Sequence, residues 1–134
     1  IRFLGCSQDT GTPDDGACYV ELTNTTTVTA TRAVGANTAT ASFEVVEYYP
    51  GVIKSVQRAT ITTSGVTSNT ATITAVTDLT RTICTGLGNS TNCTTATGNQ
   101  LYTRVTLTNT TTVTASVGGL GSTQVTSFQV TEFY

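Results

Sequence analysis

An internal repeat constrains this chain more than any other feature of its sequence. The segment Leu22–Ala30, Leu-Thr-Asn-Thr-Thr-Thr-Val-Thr-Ala, recurs letter for letter as Leu107–Ala115, 85 positions later. At the same offset Ser42–Tyr49 aligns with Ser127–Tyr134 without a gap. The chain therefore contains two copies of one structural unit.

The two copies are unequal in length. We divide the chain into a partial first repeat, residues 1–49, and a complete second repeat, residues 50–134. The first repeat lacks a counterpart of Gly51 to about Arg81, an opening that contains two predicted strands. We expect this loss to leave sheet edges unpaired and apolar faces exposed. An upstream segment, the other repeat or a neighbouring subunit must then provide cover, and the start at Ile1 rather than methionine predicts processing or further residues upstream.

Alternation of apolar and polar residues is widespread, and no convincing helical period occurs. Threonine fills about a quarter of the positions, and this β-branched residue favours strands. Turn residues separate ten predicted strands: Arg2–Leu4, Cys18–Thr23, Thr27–Ala33, Thr38–Tyr48, Ile53–Thr62, Thr70–Val76, Thr82–Thr85, Tyr102–Thr108, Thr112–Val117 and Gln124–Phe133. This pattern predicts an all-β fold of two related antiparallel sandwich or barrel repeats without helices. The fifth and sixth strands, joined by six residues, are predicted to form a hairpin.

Comparison of the repeats also predicts the core. Apolar residues that are identical in the two copies should face inward, as should the leucines that open the identical segment: Phe43, Val45, Phe128, Val130, Leu22 and Leu107. Glu47 and Glu132 interrupt this apolar row. A buried carboxylate costs several kcal/mol unless it is paired, so each glutamate either lies in water at a strand end or accepts backbone and arginine hydrogen bonds across an interface.

The charge and composition exclude several classes of function. Only 10% of residues are charged and the net charge is −2, so no basic surface is available to bind nucleic acid. No apolar run approaches the roughly 20 residues of a membrane-spanning helix, so we expect no membrane insertion. Histidine is absent, which removes the most common general base and metal ligand. We predict no enzyme activity, no cofactor and no metal site.

The acidic residues form no catalytic motif. Only Asp14 and Asp15 are adjacent, in a Gly/Pro-rich turn, and we expect them to be solvated turn formers, with a calcium ion as the alternative. The triplet Asp9-Thr10-Gly11 occurs in aspartic proteases, but alone it is a weak signal. No pair of carboxylates is selected for glycoside hydrolysis.

The four cysteines fall into two pairs. Cys6 and Cys18 flank one polar loop, and Cys84 and Cys93 flank another. We predict one disulfide in each loop, because the spacing within each pair exceeds the usual ligand spacing of Cys₄ zinc sites. Free thiols and inter-chain bridges are the alternatives. Disulfides indicate an oxidising, extracellular location.

Four asparagines satisfy the N-glycosylation pattern: Asn24, Asn89, Asn92 and Asn109. Of these, Asn89 is predicted to lie in a loop and to be the best acceptor. The alternative is that all four are turn residues. Five aromatic side chains could form a sugar-binding or subunit-binding surface or serve in packing: Tyr19, Tyr48, Tyr49, Phe133 and Tyr134.

Three segments carry a family resemblance. They are Gly51-Val-Ile-Lys-Ser-Val-Gln-Arg-Ala-Thr-Ile61, Val105–Ala115 and the closing Thr126-Ser-Phe-Gln-Val-Thr-Glu-Phe-Tyr134. Together they resemble small repeat proteins encoded in the genomes of tailed bacteriophages, and the resemblance extends over both repeats. It implies a structural role in a virion or on a surface and carries over no active site. The cysteine loops and the missing opening of the first repeat depart from the family pattern.

We therefore expect a non-catalytic structural protein at the surface of a phage particle, as a head, neck or tail fibre or a decoration subunit. Its partners would be itself, as a trimer or helical array, and other virion proteins. One alternative is an extracellular cellular filament in which a strand from the next subunit completes the first repeat. Another is a surface adhesin that binds a host or a glycan through the cysteine loops.

Overall fold

The computed structural model describes residues 1–9, 11–33, 35, 37–93, 100–120 and 122–134. The fold is built from ten strands: β1 (Arg2–Gln8), β2 (Cys18–Leu22), β3 (Val28–Arg32), β4 (Ala39–Glu44), β5 (Ile53–Thr63), β6 (Ser68–Thr72), β7 (Thr82–Thr91), β8 (Thr103–Asn109), β9 (Thr112–Val117) and β10 (Gln124–Phe133). Two short 3₁₀ turns lie complete within these described ranges, Pro13–Gly16 and Leu79–Arg81, and no described residue is α-helical. The predicted all-β class is confirmed.

The second repeat is a sandwich of two three-stranded layers. Strands β5 and β7 flank β10 in one layer, and β6 and β8 flank β9 in the other. Their inner faces enclose a core to which both layers contribute: Ile61, Ile73, Val76, Val113, Ala115, Phe128 and Val130. Leu107 is partly buried against it. Phe128 and Val130 are therefore in the core of this repeat, as predicted. Complete burial of such a side chain contributes about 1.5–3 kcal/mol to the free energy of folding.

The opening of the second repeat is an arch and not the predicted hairpin. β5 pairs with β10 while β6 pairs with β9, so the two strands lie in opposite layers. This arrangement points Ile61 and Ile73 into the core from opposite sides. The amide of Asn69 donates to the carbonyl of Thr62 at 2.8 Å across the bend. We call Ile53–Asp78 the arch.

The first repeat reproduces the other four strands of this unit. β1 pairs with β4 as β7 pairs with β10, and β2 pairs with β3 as β8 pairs with β9. Even side-chain contacts recur, since the hydroxyl oxygens of Thr23 and Thr29 lie 2.6 Å apart and those of Thr108 and Thr114 lie 2.5 Å apart. The arch has no counterpart in residues 1–49.

Strand β2 joins the two repeats in one sheet, ordered β3-β2-β7-β10-β5. The contact is a single pair, Tyr19 with Gly88 of β7. Gly88 has φ +93°, and a Cβ there would overlap the carbonyl oxygen of Cys18 and lie 3.0 Å from the ring of Phe3. Only glycine tolerates both the conformation and the close approach. Leu87, the residue before it, is fully buried.

Strand β7 is longer than the sequence predicted. The predicted strand ended at Thr85, but β7 continues to Thr91. A register shift between β7 and β10 lets it pass Leu87 and Gly88 without ending. The glycine and asparagine of this region therefore belong to an irregular strand, although they are typical of turns.

Candidate functional site

Identical residues in the two repeats differ sharply in burial. Phe128 is 0% exposed, whereas Phe43 is 43% exposed. Val130 is 1% exposed, whereas Val45 is 50% exposed. The prediction that Phe43 and Val45 lie in a core is wrong, because the arch that covers Phe128 has no counterpart above them. Leu22 is only partly buried. The exposed apolar face expected of an incomplete repeat is present.

Two strand edges are open beside this face. In the described part of the chain, β4 has no partner on the side away from β1, and β3 has none on the side away from β2. In the second repeat, β5 and β6 occupy the corresponding edges of β10 and β9. Ala30 of β3 is exposed, whereas its equivalent Ala115 is fully buried. We call the two edges and their inward residues the open side: Val28, Ala30, Phe43, Val45 and Glu47.

The opposite face of the β4 segment is turned toward the second repeat. The rings of Tyr48 and Phe133 meet edge to face with their centroids 5.9 Å apart, and the amino group of Ile1 donates to the side chain of Gln129 at 3.2 Å. Val46 lines the same cleft, which has a volume of about 450 Å³. The second repeat therefore does not cover the open side.

Glu132 closes the apolar row of the second repeat and is held by the arch. The carboxylate accepts from the backbone N–H of Thr77 at 2.8 Å, from the Thr77 hydroxyl, and from Lys54 Nζ at 3.2 Å. Its side chain is only 3% exposed. Of the two predicted alternatives, the water-exposed one is wrong for Glu132, because the arch supplies the donors that a buried carboxylate needs; these include a lysine and no arginine.

These donors perturb the acidity of Glu132. The hydrogen bond from the Thr77 hydroxyl does most to lower the pKa, burial opposes it, and the Thr77 N–H and Lys54 add to the lowering. The pKa falls from 4.5 to about 2. The carboxylate therefore stays charged over the whole physiological range.

Glu47, the counterpart of Glu132, has none of this support. It is exposed, and among the described residues it takes part in no hydrogen bond or ion pair. The equivalents of Lys54 and Thr77 would belong to the missing arch. The open side thus ends in a carboxylate whose second-repeat twin binds a lysine and a threonine.

Comparisons with protein-family models, with curated proteins and with solved structures gave no match. The resemblance to phage repeat proteins rests on the sequence segments quoted above and stays a prediction. The internal comparison of the two repeats is independent of it, because each repeat serves as the reference for the other.

One of the two predicted disulfides is present. Cys6 of β1 and Cys18 of β2 are bonded, with their Cα atoms 6.0 Å apart, a normal separation for a bridge. The bond closes the loop that contains the first 3₁₀ turn. It ties together the two layers of the first repeat.

The second predicted disulfide does not form. Cys84 is a free thiol in β7, packed against the sandwich core, and burial raises its pKa. The residues expected to form a loop after it are strand, and the extended path from Cys84 to Thr91 spans about 23 Å at the usual rise. Cys93 lies beyond that strand, with its thiol 3.4 Å from Gln100 Oε1.

Asp14 and Asp15 are buried rather than solvated as predicted. They belong to the first 3₁₀ turn, where the N–H of Thr12 donates to Asp15 at 3.1 Å and the Thr12 hydroxyl donates to Asp14. The amide of Asn37 donates to Asp15 at 3.0 Å. The two carboxylates fix the cysteine loop by hydrogen bonding. Across the described ranges, no cluster of three or more acidic or cysteine side chains could hold a metal ion.

The asparagines of the four glycosylation patterns serve structural roles. Asn24 and Asn109 occupy equivalent turns, and each accepts at 2.9 Å from the N–H two residues later. Asn92 accepts from the N–H of Thr123 at 2.8 Å. Asn89 lies in β7, and its amide nitrogen donates to Leu101 and Gln124. The prediction of Asn89 as a loop acceptor is therefore wrong, because the atom that would carry a glycan is engaged inside the fold.

The sequence patterns do not identify Lys54 and Thr77 as the donors of Glu132. A glutamate that is identical in both repeats and interrupts an apolar row was the available signal that a partner must exist. Lys54 and Thr77 could not be assigned, because they occur in the only part of the unit that is present once.

Of the remaining aromatics, Tyr19 is buried, while Tyr49 and Tyr134 are exposed. No helix in the described residues is long and apolar enough to span a membrane.

Proposed function

We propose that this chain is a non-catalytic structural protein of a phage particle, acting at its surface as a fibre or decoration subunit. The observation that carries the proposal is the exposure of Phe43, in contrast to the complete burial of its equivalent Phe128. A monomer has no use for an apolar face and two open strand edges, which are aggregation hazards. In an assembly, a contact with another subunit can cover such a face and pair such edges.

The disulfide and the low content of charged residues support the same role. The Cys6–Cys18 bridge suits an oxidising location outside a cytosol. Only 10% of the residues are charged, and the two layers of the second repeat enclose an apolar core. These properties suit a structural module in a repetitive assembly outside a cytosol.

A cellular filament is the second candidate. The open edges of β3 and β4 favour it, since adding a strand to an exposed edge is a common way to link subunits. Such an assembly would extend indefinitely by head-to-tail contacts, whereas a subunit on a particle would occur in a fixed number of copies.

Electron microscopy of the source material with a labelled antibody against the chain tests the proposal. We expect label on capsids, necks or tails of particles, at positions related by the particle symmetry. Label along free continuous fibres would contradict the virion role and support the filament. Label on neither would contradict both.

A further inference from the structure

A second cavity lies where the two repeats join, on the β1–β2 side of the first repeat and away from the open edges of β3 and β4. Its volume is about 480 Å³, which is in the range of small-molecule sites. Strand β1, the end of the cysteine loop, β7 and the residues just before β8 all contribute to its walls. The bonded cysteines Cys6 and Cys18 are part of the wall, so a covalent link fixes this part of the cavity before any ligand binds.

Two side-chain amides that line this cavity have hydrogen-bonding atoms without a partner in the described chain. Gln8 Oε1 is buried and accepts no hydrogen bond from a described residue. A buried acceptor in this state costs about 1–3 kcal/mol. Asn89 donates from its amide nitrogen to Leu101 and Gln124, and its Oδ1 accepts from no described residue. The cavity therefore offers two amide groups to a ligand that can donate hydrogen bonds.

The rim and the charge of the cavity define the class of ligand. Tyr102 lines it and is 76% exposed, so its ring is available to stack on an apolar face. None of the described residues that line the cavity is charged. A charged ligand would therefore lose hydration without gaining an ion pair. A neutral sugar meets these conditions, because its ring has C–H faces that pack on an aromatic ring and hydroxyls that both donate and accept.

We propose that this cavity binds a neutral sugar unit of an oligosaccharide, and we call it the joint site: Gln8, Gly16, Asn89, Tyr102 and the Cys6–Cys18 bridge. One sugar hydroxyl pairs with the amide of Gln8, a second donates to Asn89 Oδ1, and the ring of Tyr102 stacks on the C–H face. Gly16 keeps the first contact open, because a Cβ there would lie 2.8 Å from Gln8 Oε1. This activity goes beyond the structural role proposed above and does not depend on it.

The aromatic residues that the sequence suggested for sugar binding do not form such a site. Tyr19 is buried, and Tyr48 packs against Phe133 with the ring centroids 5.9 Å apart. Tyr49 and Tyr134 are exposed, but neither lines the joint site. Tyr49 is therefore a suitable control for Tyr102, since it is an exposed tyrosine outside the site.

Titration of the isotope-labelled intact chain with maltose, lactose and cellobiose, followed by NMR, tests the proposal. We expect at least one of these neutral disaccharides to bind, with chemical-shift changes concentrated at Gln8, Asn89 and Tyr102. Tyr102→Ala should weaken binding at least about tenfold, or about 1.4 kcal/mol. Tyr49→Ala is the matched control, and we expect it to bind as the unmodified chain does.

The amide contact has its own test in Gln8→Leu. This change keeps the approximate size of the side chain and removes its hydrogen-bonding atoms, so binding should weaken several-fold. Because it also removes a buried acceptor that has no partner, the thermal stability of the chain should not fall. A folded Gln8→Leu variant that binds at full strength would contradict the contact.

Charge selectivity provides a third readout. Digalacturonate should bind more weakly than the neutral disaccharides, because the joint site has no cation for its carboxylates.

Four results would overturn the proposal. They are no binding of the three neutral disaccharides at millimolar concentrations, shift changes that lie outside the joint site, equal losses from Tyr102→Ala and Tyr49→Ala, and a preference for digalacturonate. Sugar binding without label on particles would refute only the virion role, and label on particles without sugar binding would refute only this site.

Discussion

The first and second repeats form a comparison in which nearly identical residues have opposite surroundings. Phe128, Val130 and Glu132 are buried, and their counterparts Phe43, Val45 and Glu47 are exposed. The strands that carry them, β4 and β10, have equivalent partners on one edge, β1 and β7. The difference comes from one segment, the arch, which supplies a strand to each layer and the donors for the carboxylate. Burial in this unit is thus a property of the assembled pair of layers and cannot be assigned to a strand by its own sequence.

Truncating the two phenylalanines should give the largest contrast. Phe128→Ala removes a fully buried ring and should lower the free energy of unfolding by about 3–5 kcal/mol. Phe43→Ala removes a half-exposed ring and should cost less than about 1 kcal/mol. Urea unfolding of the two variants measures both. Equal losses would mean that the first repeat is as closed as the second.

Breaking the disulfide should destabilise the first repeat and not the second, whereas Phe128→Ala destabilises the second. The first repeat lacks the arch but has the Cys6–Cys18 bridge, so Cys6→Ser should destabilise it by about 2–4 kcal/mol. Amide exchange in β1 and β2 should rise, while β9 and β10 stay protected. Cys84→Ser, which changes a free thiol in the second repeat, is the control for losing a cysteine. Exchange that rises equally in both repeats would show that they unfold as one unit.

The joint between the repeats depends on Gly88. Gly88→Ala introduces a side chain at positive φ and against the backbone of Cys18, so it should cost about 1–3 kcal/mol. Gly5→Ala provides the comparison, because Gly5 also has positive φ but no atom lies within 4 Å of the added Cβ. We expect Gly88→Ala to be the more destabilising in thermal melts. The reverse order would contradict the pairing of β2 with β7.

Acid should affect the second repeat through Glu132, and this is the smallest effect we predict. Its pKa is lowered on folding, so the stabilisation is complete above the ordinary value of 4.5 and is lost as the pH falls toward about 2. Glu132→Gln should flatten this part of the stability profile. Glu47→Gln should leave it unchanged, because Glu47 has lost its donors with the arch. An equal change in both variants would contradict the comparison.

Much of the fold could be predicted from the sequence, because period-two patterns and the exact repeat are local signals. Strands β9 and β10 have the predicted limits, Thr112–Val117 and Gln124–Phe133. The sequence predicts that β7 ends at Thr85, because Gly86 and Gly88 are typical of turns. Pairing with β10 and β2 keeps these glycines in the strand. The Cys84–Cys93 bridge was wrong for the same reason.

The site was only partly predictable. The missing opening predicts the exposed edges, yet the identity of Phe43 and Val45 with Phe128 and Val130 predicts a core position for them, because sequence identity does not report what covers a residue. Which strand pairs with which depends on contacts distant in sequence. The hairpin prediction failed there, since a six-residue loop fits a hairpin and an arch equally well.

Amide hydrogen exchange of the intact chain, resolved residue by residue by NMR, tests the central claim most directly. Leu22–Ala30 and Leu107–Ala115 have the same sequence, so their intrinsic exchange rates match and any difference reports structure. We predict strong protection in β9, which is paired on both sides, and markedly faster exchange in β3, which is paired on one. Equal protection of the two segments would contradict the claim that the first repeat is open.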